Sequence, residues 1–189
     1  RIAFAPTGSL PSGDLDFTQL GPRPDAPAAP AALRAIDRSG PDAAAAIFFT
    51  SGSTARPKAL AHAHRALVHQ ALVCSAGFGL DREDRLWGCL PMFFTGGFVP
   101  VAVTSLAAGA AVVLHDHFEP ERALDLMEEE GVSFYTGWQL APALCDHPSF
   151  ARRHLRIRKG IFVDTEIAGR LLAPDHVTVG VYGMSETAT

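Results

Sequence analysis

The sequence has 189 residues, 48% of them hydrophobic, and 16 Lys and Arg against 20 Asp and Glu give a net charge of −4. The basic residues are scattered and no apolar run approaches the ~20 residues needed to cross a bilayer, so we expect neither nucleic acid as a partner nor a membrane span. The three cysteines, Cys74, Cys89 and Cys145, show no paired spacing, which argues against a zinc site or a disulfide framework and favours a reducing, cytoplasmic compartment.

The first part of the chain differs in composition from the rest. Residues 21–32 are rich in Pro and Ala, and proline lacks the amide hydrogen that regular structure uses. We therefore expect residues 1–43 to be the end of a preceding segment and a Pro/Ala-rich linker. We expect residues 44–189 to form a separate α/β subdomain.

From residue 44 onward, short apolar runs alternate with helical patterns. Ala44–Phe49 predicts a buried strand, and residues 64–78 predict a helix because their apolar side chains recur on one face. Further strands are predicted over residues 85–90, 110–115, 132–135, 157–163 and 177–181. Further helices are predicted over residues 97–108, 120–130, 139–146 and 166–172, with Pro120 at a first helical position and Gly131 just past an end.

This alternation predicts the fold class. The strands are continuously apolar rather than alternating, which is typical of a mostly parallel sheet covered by helices in an α/β fold. Ligands of such sheets lie at the carboxyl ends of the strands. We expect the loops after Phe49 and Val181, both polar, to meet there and to carry the function.

The first loop combines hydroxyls, a glycine and a lysine directly after a strand. Its hydroxyls and backbone N–H groups can surround phosphate oxygens, and Lys58 adds a mobile positive charge. No glycine precedes Lys58 as the Walker pattern requires, and a polar surface turn is the alternative interpretation. The loop reads Thr50-Ser51-Gly52-Ser53-Thr54-Ala55-Arg56-Pro57-Lys58-Ala59. His62 and His64 follow it, where packing or helix capping is the expected role.

The second loop, residues 182–187, carries a different set of polar groups. Glu186 suits Mg²⁺ because that hard cation prefers oxygen ligands. Ser185 could bond a phosphate oxygen, and Tyr182 could stack on a base. A helix start after a Tyr-Gly turn is the alternative interpretation.

Together the two loops resemble those of the adenylate-forming superfamily of acyl-CoA synthetases, nonribosomal peptide adenylation domains and luciferases. The family signature Thr-Ser-Gly-Ser-Thr-Gly-x-Pro-Lys-Gly matches residues 50–59, except that Ala55 and Ala59 replace glycines, and Tyr-Gly-x-Thr-Glu matches residues 182–186 with Ser185 for Thr. Residues 90–97 are similar to the segment that carries an aromatic residue beside the acyl group, and Phe94 takes that place. Residues 135–138, ending in Trp138, are similar to ligases of fatty or aromatic acids.

The resemblance, which covers roughly residues 44–189, implies that they are an α/β nucleotide-binding subdomain, truncated at its C-terminal end, within the large N-terminal domain of an AMP-forming acid–thiol ligase. Such an enzyme uses ATP, Mg²⁺ and coenzyme A to convert a small carboxylic acid into its adenylate and then its thioester. Phe94 and Trp138 would line the acid pocket, and Glu186 would bind Mg²⁺. The nucleotide would be held by Thr50, Ser51, Gly52, Ser53, Thr54, Lys58, Tyr182, Gly183 and Ser185, with Lys58, Ser185 and Glu186 catalytic.

Two alternatives stay open at this stage. A carrier-loading adenylation domain uses the same first step with another acyl acceptor, and Ala55 and Ala59 in place of glycines are also consistent with a non-catalytic nucleotide-binding remnant.

The chain ends at Thr189, before the positions of the family's ribose-binding Asp, hinge and late Lys. We therefore expect the fragment to be inactive alone and prone to self-association.

Overall fold

The structure is a computed structural model that describes residues 2–3, 40–50, 57–115, 117–161 and 164–188, with only the backbone described for Ile2, Ala3 and Trp138. Its centre is a six-stranded sheet of order β1-β5-β4-β6-β7-β8 in which every neighbouring pair is parallel. The strands of this sheet are β1 (Ile2–Ala3), β4 (Arg85–Gly88), β5 (Ala111–Leu114), β6 (Phe134–Tyr135), β7 (Lys159–Ile161) and β8 (Val177–Val179). The predicted parallel α/β fold is confirmed. Among the described residues, each predicted strand of this sheet exists with shorter bounds, whereas β1 was not predicted.

Two strands stand outside this sheet. β2 (Ala44–Phe49) and β3 (Ala59–Ala63) form an antiparallel hairpin in which Phe49 pairs with Ala59. The bounds of β2 are as predicted, but the expectation of a buried strand is wrong. Only Phe48 is buried, while Ile47 and Phe49 are 59% and 63% exposed. The expectation that both polar loops leave one sheet is also wrong, because the first loop connects this hairpin.

The helices connect the strands in the predicted order. They are α1 (His64–Gly77), α2 (residues 95–108), α3 (Pro120–Glu129), α4 (Ala141–Cys145) and α5 (Thr165–Leu171). Short 3₁₀ turns cover Trp138–Leu140, Phe150–Arg152 and Ser185–Thr187. α3 begins as Pro120 predicts, and the Glu119 carboxylate caps it by accepting from the backbone N–H groups of Glu121 and Arg122.

α2 is one helix with an irregular middle. Its ends, Thr95–Gly97 and Thr104–Ala108, are α-helical, and Phe98–Val103 between them is a π-helix. Pro100 has no amide hydrogen for the regular helical ladder, which accounts for a local change of hydrogen-bond pattern there. Two side-chain hydroxyls satisfy carbonyls in this stretch: Thr104 Oγ1 donates to Val99 O at 2.8 Å and Ser105 Oγ donates to Val101 O at 2.6 Å.

Helices cover both faces of the sheet. Leu86 and Phe134 bury their side chains on one face, against Cys74 of α1 and Phe78 directly after that helix. Their neighbours Trp87 and Tyr135 point the other way and pack with α3, α4 and α5. Alternate strand residues therefore enter two separate apolar cores, which explains why the strands are apolar without a period of two.

One buried carboxylate joins the amino ends of three strands. Asp84, directly before β4, is fully buried and accepts from Lys159 Nζ at 2.6 Å, Ser133 Oγ at 2.8 Å and its own loop's Asp81 N at 3.0 Å. Ser133 precedes β6 and Lys159 begins β7. Burial alone would raise the pKa of Asp84, but the hydrogen bonds from Lys159 and Ser133 and the Lys159 charge outweigh it and hold the pKa below its ordinary value.

We expect Asp84→Asn to lower the free energy of unfolding at pH 7 by about 3 kcal/mol, because Lys159 then keeps a charge without its partner. Since the folded-state pKa of Asp84 is depressed, its contribution is present above the unfolded-state value of ~3.9 and is lost as pH falls through the folded-state value. Denaturant unfolding between pH 7 and pH 3 measures this. The difference between wild type and variant should shrink toward the acid end, whereas the exposed Asp175→Asn should behave as wild type throughout.

Candidate functional site

A cavity of about 340 Å³ lies at the carboxyl edge of the parallel sheet. It opens where the chain leaves β4 through α2 in one direction and leaves β6 through α4 in the other, which is the topological switch point at which open α/β sheets bind ligands. Segments that follow β4, β6 and β8 surround it, together with α2 and the last residue of β7. Its lining residues are Leu90, Gly96, Pro100, Val101, Thr136, Ile161, Val181, Tyr182 and Gly183.

The predicted second loop borders this cavity. Tyr182 and Gly183 line it, and the Tyr182 side chain is 87% exposed. Ser185 and Glu186 begin the 3₁₀ turn Ser185–Thr187, with the Glu186 side chain exposed. The turn is anchored at its end by Ala188, which is buried with Leu67 and Val99. The loop therefore presents its polar groups from a fixed base.

His62 joins the second loop to the hairpin. Its Nε2 lies 2.8 Å from the carbonyl oxygen of Ser185, so this nitrogen donates a hydrogen bond to a residue 123 positions away. The ring is buried and packs against Phe48 with the ring centres 5.7 Å apart. The expected packing role of His62 is thus only part of its role, and nothing local in the sequence signals the contact with Ser185.

The predicted phosphate loop lies at the tip of the hairpin. Thr50 N donates to Lys58 O at 3.0 Å, which extends the hairpin pairing by one step beyond β2 and β3. Lys58 is exposed and Thr50 half-buried. Ser51, Gly52, Ser53 and Thr54 lie outside the described residues, and their phosphate role stays a prediction.

The two predicted aromatic residues of the acid pocket are placed differently. Phe94 precedes α2, is 50% exposed and lies with its ring centre 4.5 Å from that of Phe93; it is not among the residues that line the cavity. Trp138 begins a 3₁₀ turn, and its side chain lies outside the described residues. For both residues, a role beside the acid stays a prediction.

Other titratable groups near the cavity are neutral structural groups. Burial raises the pKa of the Cys89 thiol to about 12, so Cys89 carries no nucleophilic thiolate near neutral pH. Burial likewise raises the pKa of Tyr135, whose hydroxyl donates to Gly137 O at 2.5 Å.

Within the described ranges, no cluster of three or more His, Cys, Asp and Glu side chains is arranged to hold a metal ion. None of the helices in those ranges combines the length and apolar character that crossing a bilayer requires.

Close packing at Gly97 sets the position of α2 against the loop after β4. A Cβ atom at Gly97 would lie 2.7 Å from the carbonyl oxygen of Leu90 and nearer still to that of Pro91. At the adjacent Gly96, a Cβ atom would meet nothing within 4 Å. Glycine is thus required by packing at position 97 and not at position 96.

Comparison with known proteins gives a consistent picture. A family model described as AMP-binding enzyme matches residues 11–189. A feruloyl-CoA synthase from Amycolatopsis sp is 28% identical over 185 residues, covering 95% of this chain and 35% of the relative. A 4-chlorobenzoate–CoA ligase from Arthrobacter sp is 30% identical over 165 residues, covering 82% of this chain and 32% of the relative. This chain spans about a third of the length of these relatives.

Solved structures show the same architecture. The inhibitor-bound N-terminal domain of FACL13 from Mycobacterium tuberculosis has a TM-score of 0.65 at 25% identity, with 75% of this chain and 37% of that one covered. The O-succinylbenzoate coenzyme A synthetase from Bacillus subtilis, in complex with AMP, has a TM-score of 0.65 at 23% identity, with coverages of 80% and 39%, and at that identity shows the fold alone.

The contrast between neighbouring glycines predicts their response to a methyl group. Gly97→Ala should lower the free energy of unfolding by about 1–3 kcal/mol, because backbone carbonyls must shift to admit the Cβ atom. Gly96→Ala should cause no loss, since its Cβ atom enters open space and alanine favours the helix. Thermal unfolding of both variants measures this, and equal losses in the two would contradict the packing assignment.

Proposed function

The chain belongs to the AMP-binding enzyme family, and from that membership we propose that it supplies the nucleotide- and acid-binding part of an ATP-dependent carboxylate–CoA ligase. Two matched relatives are named as CoA ligases or synthases, which supports coenzyme A as the acyl acceptor over a carrier domain. The observation that carries the proposal is the cavity at the switch point, bordered by the loop that bears Tyr182, Ser185 and Glu186.

The proposed reaction has two steps. An oxygen of the acid's carboxylate attacks the α-phosphorus of ATP, forming the acyl-adenylate as the bond to pyrophosphate breaks. The thiol sulfur of coenzyme A then attacks the acyl carbonyl carbon, losing its proton, and AMP leaves. Both steps depend on positioning and on stabilising negative charge, so side chains that hold phosphate oxygens matter more than strong acids or bases.

Each end of the nucleotide is assigned to one of the two loops. Lys58 and the hydroxyls and amides of Thr50, Ser51, Gly52, Ser53 and Thr54 hold the β- and γ-phosphates. Ser185 contacts the α-phosphate, Tyr182 lies on the adenine, and Gly183 lets the backbone approach the nucleotide closely. The hydrogen bond from His62 to Ser185 O supports this division, because it ties the strand that follows the first loop to the turn that bears Ser185.

Glu186 is proposed as the protein ligand of Mg²⁺. Its carboxylate is exposed and makes no hydrogen bond or ion pair within the described ranges, so both oxygens are available to a cation. Mg²⁺ in nucleotide sites is typically held by one or two carboxylates with water and phosphate oxygens completing its shell, and one carboxylate on this loop fits that pattern. When bound, the ion would neutralise charge on the phosphates.

The acid is proposed to lie in the apolar cavity. Phe94 does not itself line the cavity, so a place beside the acid for Phe94, as for Trp138, rests on the family resemblance alone. Leu90, Pro100 and Val101 supply apolar walls, and α2 supports two of them. The cavity lies at the carboxyl edge of the sheet, next to the loop that bears Ser185, and we propose that the carboxylate of the acid faces that loop. This arrangement supports attack on the α-phosphorus.

Lys58→Ala, made in the complete protein that contains this chain, should lower kcat/KM for ATP about 10- to 100-fold, because it removes one charge-assisted contact of about 1.5–3 kcal/mol. Pyrophosphate exchange at varied ATP measures the effect. Arg82→Ala is the matched control, since Arg82 is an exposed cation before β4, at the opposite edge of the sheet. Unchanged ATP kinetics in Lys58→Ala would remove this loop from the phosphate site.

Glu186→Gln should raise the Mg²⁺ concentration that half-maximal adenylation requires and lower the maximal rate, because a neutral amide is a poorer ligand for a hard cation. A Mg²⁺ titration of pyrophosphate exchange at fixed ATP measures both. Glu166→Gln, an exposed carboxylate in the first turn of α5, is the control of equal charge change. A wild-type Mg²⁺ dependence in Glu186→Gln would leave Glu186 as an ordinary turn residue.

A further inference from the structure

We propose that the cavity selects a compact carboxylic acid with an uncharged, apolar tail such as an aryl ring, and that the absent side chain at Gly96 provides room for that tail. The inference rests on the proposed function, because it takes the cavity as the acid site of the same ligase. It adds a substrate class and a residue that sets specificity.

The charge of the tail is restricted by the cavity walls. All the residues that line the cavity are uncharged. The Thr136 hydroxyl donates to Trp87 O at 2.7 Å, so its proton is already used inside the protein, and the other lining hydroxyl belongs to the exposed Tyr182. An ammonium group on the tail would lose water without gaining a counter-charge, which is costly in an apolar site. The cavity therefore disfavours α-amino acids.

The size of the tail follows from the volume. About 340 Å³ lies near the lower end of the roughly 300–1,000 Å³ typical of ligand pockets, which suits one ring or a short branched chain better than a long fatty chain. Apolar side chains of Leu90, Val101 and Ile161 border this space and match such a tail.

Gly96 lines the cavity, and the packing of the fold does not require glycine at this position. Its backbone is not in the left-handed region, and an added Cβ atom would meet nothing within 4 Å, in contrast to Gly97. Packing therefore does not account for glycine at position 96. Because Gly96 borders the cavity, we infer that a side chain there would occupy space that the tail otherwise fills.

The test uses pyrophosphate exchange by the complete protein with Gly96→Ala and Gly96→Val. The acids are propanoate, benzoate, 3-phenylpropanoate and phenylalanine. Wild type should use 3-phenylpropanoate at least about 100-fold better than phenylalanine. Gly96→Val should lower kcat/KM for the two aryl acids by about 10- to 200-fold, the usual effect of methylene-sized changes in a pocket, with less effect on propanoate and none on the KM for ATP.

A matched control separates the cavity from a general effect of removing a glycine. Gly169, in α5 and away from the cavity, also has open space at its Cβ position, and Gly169→Ala and Gly169→Val should leave the acid preference unchanged. Thermal unfolding checks that each variant folds. If valine at position 96 unfolds the protein, Gly96→Ala carries the test with a smaller shift in the same direction.

The outcomes distinguish this inference from the proposed function. Absence of acid-dependent exchange in wild type with any carboxylic acid would overturn the proposed function. Activity with an unchanged aryl preference in the folded Gly96 variants would overturn the role of Gly96 alone. A rise in the KM for ATP without a change for acids would assign the cavity to the nucleotide instead. Equal use of phenylalanine and 3-phenylpropanoate would overturn the charge restriction.

Discussion

The buried carboxylate of Asp84 bonds to groups at the start of β7 and directly before β6, and it lies directly before β4 itself. These strands are only two to four residues long, so their ladders alone give few hydrogen bonds to fix their relative positions. The buried Asp84 carboxylate, which connects the amino ends of three strands, therefore adds hydrogen bonds that help to fix the relative positions of these strands.

The opposite edge depends on close approach rather than on charge. The absence of a side chain at Gly97 lets the start of α2 pack closely against the carbonyls of Leu90 and Pro91 in the loop after β4. The π-helical turn around Pro100 then carries Pro100 and Val101 into the cavity wall. One edge of the sheet is thus held by a polar network and the other by packed backbone. The second loop is held at its base by buried Ala188 and by the hydrogen bond from His62 to Ser185 O. Loops that carry chemistry are usually supported in this way by a fixed scaffold.

The fold class could be predicted because strands buried on both faces are apolar at every position, as Leu86 and Trp87 are. The hairpin could not be predicted, because an apolar run such as Ala44–Phe49 indicates a strand but does not indicate which strand pairs with it. The same run would fit a central parallel strand or one half of a hairpin. The alanines of Ala59–Ala63 have low strand preference, so β3 gave little local signal.

The sequence predicts which chemical groups the candidate site contains, but not how these groups are arranged in space. Hydroxyls, Lys58 and Glu186 indicate phosphate and cation binding by their own properties. The contact of His62 with Ser185 and the cavity between β4 and β6 depend on strand order, which no local pattern specifies. The sequence shows glycine at both positions 96 and 97 and gives no sign that they differ. In the structure, the carbonyls of Leu90 and Pro91 leave no room for a Cβ atom at Gly97, whereas the space at Gly96 is open.

The order of the sheet has a consequence for how the chain folds during synthesis. β1 precedes the other strands of this sheet in the chain, yet it pairs with β5, where Ile2 lies opposite Val112. The hairpin of β2 and β3, by contrast, joins near neighbours and can close quickly. Because a chain emerges from the ribosome from its amino-terminal side onward, β1 leaves the ribosome well before β5, with which it pairs in this sheet. Until β5 is made, the backbone groups of β1 that pair with β5 are free to pair with other molecules, which is a hazard for a nascent chain.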